Sequence, residues 1–155
     1  MRNRGFEILP EYQEVAKEIE QTVEEVTEYL PQRATRKSSG YDLRAIEDCV
    51  LNPGEIKLIG TGLTAYMQDD EELQLRGRSG LSLKGLSLAN GIGTVDSDYY
   101  GQHIKFIYAN KGSEPITIHK GDRIGQGVFA HYLTIDDDRP VKEERTGGFG
   151  SSGKA

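Results

Sequence analysis

Val15, Ile19, Val23, Val26 and Leu30 recur at spacings of four, four, three and four, and the positions between them are mostly charged or amide side chains. That period predicts an amphipathic helix over 11–29, with one narrow apolar stripe and an acidic opposite face, stopped by Pro31. A short strand from Phe6 to Leu9 is expected before it. From Gly40 onward the texture changes. "EIKLI", "LTAYM", "HIKFIYA" and "ITIH" alternate or cluster as half-buried strands do, and "NPGE", "GTG", "NKGSEP" and "KGD" punctuate them as turns. Many short strands at close intervals predict an all-β domain, a barrel or a double-sheet jelly roll. The closing stretch, "EERTGGFGSSGKA", has almost nothing to bury, so 143–155 is expected to be a mobile arm.

Composition narrows the picture. A chain of 155 residues suits a single domain, 1–155, with a real core. It has no apolar run of membrane-spanning length and no secretory leader, so a soluble, unexported, cytoplasmic protein without membrane contact is expected. Cys49 is alone, which excludes an internal disulfide and reads as a small buried hydrophobe beside Val50 and Leu51. The net charge of −6 is concentrated: Glu11 to Glu28 holds seven Glu and one Lys, and the rest balances at 18 basic against 18 acidic residues. No basic surface for nucleic acid is implied, and a phosphate would have to be bound at a local site. The acidic helix reads as a surface helix packed on the domain or, alternatively, as a docking surface for a protein partner.

Five clusters carry candidate chemistry. In "SSGYDLRA", Asp42 opens a strand between two large side chains, either closing a turn or facing a ligand. In "RGRSGLSLKG", Arg78, Ser79 and Gly80 bring together a guanidinium, a hydroxyl and an unobstructed N–H, a set that suits phosphate oxygens; Ser79 could equally cap a short helix. In "NGIGTVDSDYYG", Val95 and Tyr99 bracket "DSD", so a hairpin with a polar tip is expected. Asp96 and Asp98 would share a face if the strand stays regular, and Asp96, beside Val95, is the more sheltered. In "GDRIGQGVF", Gln126 sits among apolar neighbours, satisfied by backbone or aimed at a ligand. The tail "RTGGFGSSG" looks like a phosphate-cradling glycine loop but lacks the Lys and helix of a P-loop. Its Phe149 and Arg145 could instead fold over a ligand as a lid. His103, His119 and His131 have no metal-ligand spacing.

Taken in order, "SGYDLRA", "GRSGLSLKGL", "NGIGTVDSDYYG", "GDRIGQGVF" and "RTGGFGSSG" resemble the five motifs of the trimeric dUTPases, from about Leu30 to the carboxyl end. The resemblance implies a jelly-roll homotrimer with arm exchange and active sites shared between subunits, hydrolysing dUTP to dUMP and pyrophosphate with Mg²⁺. It implies that Asp96 is the general base and that Tyr99 packs under the deoxyribose. Asn90, Gly93, Thr94 and Val95 would hold uracil. Arg78, Ser79, Gly80 and Gln126 would hold phosphates, with Lys105 also counted among the substrate-binding residues. Asp42 would contact the water shell of a Mg²⁺ held mainly by the triphosphate. From the arm, Arg145 would reach the γ-phosphate and Phe149 would cover uracil, with Gly150, Ser151 and Ser152 beside it. Three departures stand out: the inserted acidic helix, a spacing from Arg145 to Phe149 one residue shorter than usual, and an extra residue in "YYGQHIKF" that suggests a bulge near Lys105. Rival readings are a deaminase of the same fold, for which no Glu stands inside the second or third cluster, a regulatory binding module, and an all-β structural protein.

Overall fold

Residues 1–145 are described by a computed structural model; Phe149, Gly150, Ser151 and Ser152 lie outside the described residues, as does most of the expected arm. Strands β1 (Gly5–Ile8), β2 (Gln32–Arg33), β3 (Tyr41–Arg44), β4 (Cys49–Leu51), β5 (Ile56–Gly60) and β6 (Leu63–Tyr66) form the first half. β7 (Glu71–Arg76), β8 (Leu86–Leu88), β9 (Gly93–Asp96), β10 (Lys105–Asn110), β11 (Ile116–Ile118) and β12 (Arg123–His131) form the second. The helices are α1 (Gln13–Thr22) and the single turn α2 (Ser79–Ser82). The expectation of an all-β protein with one added helix is borne out.

The largest sheet runs β2-β3-β12-β7-β9, a second runs β5-β10-β8, and two-stranded ladders join β1 to β6 and β11 to β4. All pairings are antiparallel. Alternation drives the packing. In β7, Leu73 and Leu75 turn inward while Glu72 and Gln74 stay at the surface. The inward set meets Leu43, Ile59, Leu63, Phe106, Tyr108 and Ile124, each nearly or wholly buried. Glu71 is buried too, and its charge is matched: Arg4 donates to it through Nε at 2.9 Å and Nη2 at 2.6 Å, and the Gln68 N–H at 3.0 Å. On β12, Gly125 lies against Phe106 so closely that a Cβ would stand 2.6 Å from the ring's Cζ and 2.8 Å from the Arg76 carbonyl oxygen.

The helix is shorter than the period predicted. It ends at Thr22, and Val23 is already extended, with φ −100° and ψ 107°. Three causes act together. Thr22 and Val23 are β-branched, Thr22 turns its hydroxyl back onto the Glu18 carbonyl at 2.8 Å, and Glu24, Glu25 and Glu28 crowd like charges into the next turn. The apolar positions beyond the helix still reach the core by another route, for Val26 and Tyr29 are both buried. The Tyr29 N–H donates to Glu20 at 2.7 Å, and its hydroxyl donates to the Thr61 carbonyl at 2.7 Å with the Arg44 carbonyl at 3.0 Å. Within α1, Ala16 and Ile19 face the body, and Gly121 approaches Ile19 and Val23 so tightly that a Cβ would lie 3.1 Å from each. No helix among the described residues is long and apolar enough to cross a membrane.

Candidate active site

One group of candidate residues is assembled by the large sheet. Gln126 on β12 stands in register with Asp42 on β3 at one side and Arg76 on β7 at the other. Gly40 makes room for it, because a Cβ there would collide with the Gln126 side-chain oxygen. The Gln126 amide makes no hydrogen bond to the protein among the described residues, so the alternative in which backbone satisfies it is not realised. Asp42 borders a polar cavity of about 290 Å³ together with Arg33, Arg44, Arg123 and Glu28, and Arg123 Nη1 lies 3.8 Å from its carboxylate.

Just beyond β7 the chain bends at Arg78, which is extended and precedes α2. The N–H groups of Leu81 and Ser82 return to the Arg78 carbonyl at 3.1 and 3.0 Å, closing the turn and leaving Ser79 and Gly80 exposed at its start. An open depression of about 660 Å³ adjoins this turn, lined by Ser79, Ser82, Ser87, Gly91 and Lys111 among others.

The second group belongs to the hairpin. Asn90 is exposed beside Gly91, whose φ of +75° is the left-handed conformation a tight turn requires. On β9, Gly93 and Val95 face inward and Thr94 and Asp96 outward. Gly93 has to be small, since a Cβ would stand 3.0 Å from Leu75. The strand ends at Asp96 and the chain turns through a 3₁₀ segment, Ser97–Tyr99. The strand does not stay regular to Asp98, so the condition for Asp96 and Asp98 sharing a strand face is not met; what joins them is Arg145, whose Nε donates to Asp98 at 2.8 Å and whose Nη2 pairs with Asp96. Tyr99 is buried, its hydroxyl donating to the His103 carbonyl at 2.7 Å, and the Arg145 guanidinium carbon stands 5.9 Å from its ring centroid.

The bulge expected near Lys105 is absent. β10 pairs with β5 in unbroken register from Lys105 opposite Gly60 to Ala109 opposite Ile56. The extra residue is absorbed earlier, where Gly101 takes φ +91° and the Gln102 N–H bonds back to the Tyr99 carbonyl at 3.0 Å. Lys105 ends up near His103, whose pKa is lowered to about 4 by burial first and by the Lys105 charge second.

Within one chain these two groups stay apart. Gln126 is level with Arg76, whereas Asp96 is level with Glu72, four residues back along β7 and roughly 13 Å away by strand rise alone. Glu72 was not singled out by the sequence, although its outward position in "EELQLR" was legible. It matters electrostatically. Asp96 has its pKa raised above the ordinary 3.8, first by loss of hydration, with Asp98 and Glu72 adding to the rise and Arg145 opposing it.

Comparison with known proteins agrees with this architecture. The dUTPase family model matches residues 27–153, including the described candidate residues and the tail. The deoxyuridine 5'-triphosphate nucleotidohydrolase of Lactococcus lactis is 43% identical over 160 residues, spanning 99% of this chain and 99% of its own. The enzyme of the same name from Nautilia profundicola is 42% identical over 81% of this chain and 91% of its own. Among solved structures, the dUTPase from Streptococcus mutans superposes with a TM-score of 0.74 at 36% identity, covering 85% of this chain and 98% of that one. A dUTPase from phage phi11 of S. aureus, at 19% identity and a TM-score of 0.69, shares the fold. The fold and the order of its motifs define a nucleotide hydrolase. The chain belongs to the dUTPase family, the enzymes that hydrolyse dUTP to dUMP.

Proposed function

We propose that this chain cleaves dUTP to dUMP and pyrophosphate by attack of water on the α-phosphorus, with Asp96 as the general base. The observation that carries the reading is the end of β9, where a half-exposed carboxylate of raised pKa sits three residues from the anchored ring of Tyr99. Such a group takes a proton from water more readily than a free aspartate does. General-base assistance of this kind contributes roughly 10²–10⁴-fold. Tyr99 packs under the deoxyribose and leaves no room for a 2′-hydroxyl. Asn90, Gly93, Thr94 and Val95 recognise uracil at the hairpin's edge and exclude thymine by shape.

Arg78, Ser79, Gly80 and Gln126 hold the phosphates, with Lys105 at the border of the site. Their distance from Asp96 within one chain supports a site completed by a second copy, in a homotrimer whose arms exchange. Leu133 and Val141, almost fully exposed on the approach to the arm, and Ile135, largely exposed, suit packing against a neighbouring subunit. Arg145 and Phe149 from the arm, with Gly150, Ser151 and Ser152, close over the γ-phosphate and the base.

Among the described residues no three His, Cys, Asp or Glu side chains cluster as a metal cage. Asp42, level with Gln126 in the ladder, is a carboxylate that fits the water shell of a Mg²⁺ bound chiefly by phosphate oxygens. When bound, Mg²⁺ supplies charge neutralisation on the triphosphate. In the cytoplasm the reaction would keep uracil out of DNA and supply dUMP for thymidylate synthesis. A protein partner, if one docks here, would meet the acidic outer face of α1, since its apolar side is packed on the body.

The test is pyrophosphate release from dUTP, with dTTP, UTP and dCTP alongside, in Mg²⁺ and then in EDTA. Metal-dependent release from dUTP alone is expected. No release from a folded chain, or ammonia release from dCTP, would overturn the reading.

A further inference from the structure

Strand β1 precedes the stretch that the family model matches, which begins at residue 27, yet it reaches the catalytic hairpin. The Tyr100 hydroxyl donates to Glu7 Oε1 at 2.6 Å. Arg2 Nη2 donates to the other carboxylate oxygen at 2.7 Å. The Arg2 guanidinium carbon lies 3.8 Å over the Tyr66 ring, and Tyr66 meets Tyr100 edge-on at 6.5 Å. The four side chains therefore close a circuit. Opposite Glu7 in the β1–β6 ladder stands Thr64, whose hydroxyl oxygen accepts the Gly101 N–H at 2.7 Å. One cross-strand pair thus grips two successive residues of the hairpin's foot. Glu7 is held as an anion: its pKa is lowered by the Tyr100 hydroxyl first and by Arg2 second, which strengthens it as an acceptor.

We propose that Glu7 is a positioning residue of the active site, clamping Tyr100 while Thr64 holds Gly101, so that the neighbouring Tyr99 ring is fixed as the wall against the sugar. This rests on the reading that Tyr99 packs under the deoxyribose. Tyr99 has its own anchor at the far side of the turn, the His103 carbonyl, so the foot is held on both sides of the ring. A wall excludes a 2′-hydroxyl only as well as it is held, because steric rejection fails once the rejecting group can yield. Slack at Tyr100 therefore appears as a loss of discrimination between dUTP and UTP rather than as a loss of the reaction.

The experiment is steady-state kinetics on full-length Glu7→Ala, Glu7→Gln, Tyr100→Phe and the Glu7→Ala/Tyr100→Phe double variant, with dUTP and UTP, beside thermal unfolding of each. The ratio of kcat/KM for dUTP over UTP is expected to fall about five- to twentyfold in Glu7→Ala and in Tyr100→Phe, the scale of a partly relaxed steric exclusion. The double variant should be no worse than either single one, because both remove the same bond. Glu7→Gln, which keeps an acceptor, should stay within about twofold of wild type. An unchanged ratio in both single variants would overturn the clamp, with or without a lower unfolding temperature, and so would losses that multiply in the double variant. A wild-type chain that does not prefer dUTP to UTP would instead refute the sugar wall, and the clamp with it.

Discussion

The guanidinium of Arg145 spans Asp96 and Asp98, so the carboxylate at the end of β9 shares its cation with a second carboxylate two residues on. The pair sits at the surface, with the two aspartates about half exposed, and Arg145 is the better covered member. Charge balance at this spot is local, and it modulates an Asp96 titration that loss of hydration shifts first.

Replacing Asp96 by Asn keeps the shape of the side chain and removes its basicity. Turnover is expected to fall by roughly two orders of magnitude or more, the scale of a lost general base, with dUTP binding largely retained. Calorimetry with a non-hydrolysable dUTP analogue, set beside single-turnover rates, checks both halves. Near-normal turnover would remove Asp96 from the role.

The pH profile carries the sign of the Asp96 shift. Its pKa is raised, so a base at Asp96 is expected to be protonated and lost earlier, as pH falls, than an ordinary carboxylate. The acid limb of kcat/KM is therefore expected above 3.8, the ordinary carboxylate value. Glu72, opposite Asp96 in the ladder, is one cause of the rise, so Glu72→Gln should move the limb to lower pH. A limb that stays put or climbs contradicts the assignment.

Gly125 and Phe106 form a small–large pair. Gly125→Ala places a methyl group against the ring and the Arg76 carbonyl, and should cost about 1–3 kcal/mol in denaturant unfolding, the usual range for overpacking. Phe106→Val relieves the ring contact and leaves the carbonyl contact, so the double variant should recover part of the loss relative to Phe106→Val alone. Strict additivity would mean that the clash is relieved elsewhere.

His103 makes the fold sensitive to acid. Its Nε2 accepts the Gly62 N–H at 2.7 Å and so must be unprotonated, and its pKa is lowered to about 4 from 6.5. The unfolded chain binds the proton first, so this contribution is intact above pH 6.5 and is lost as pH falls towards 4. Unfolding free energy measured across that window should decline more steeply in wild type than in His103→Gln. Equal slopes would assign the decline to carboxylates alone.

Local patterns were easy to read in the chain, and long-range placements were not. "EIKLI", "LTAYM", "HIKFIYA" and "ITIH" became β5, β6, β10 and β11 because alternation is a property of neighbours along the strand. α1 ends before its apolar period does: Val26 and Leu30 keep the helical spacing although the helix stops at Thr22, and Val26 and Tyr29 reach the core through tertiary contacts that override the pattern. The motifs carrying the site were visible for the same local reason. Their grouping was hidden, because whether Gln126 lies beside Asp42 or beside Asp96 depends on the strand order β3-β12-β7-β9. Glu7 and Tyr100 are 93 positions apart and share no local signal at all.

Strand β1 is the ladder partner of β6, whose Leu63, Thr64 and Ala65 are buried. A fragment trimmed to the stretch shared with the family model would bear every motif and yet present that strand with a bare, apolar edge, a template for aggregation. Residues Gly5 to Ile8 are therefore a structural partner of β6. The family-model match begins after β1, whereas the Lactococcus lactis relative aligns over 99% of the chain, so anyone shortening the protein for production or crystallisation should cut elsewhere.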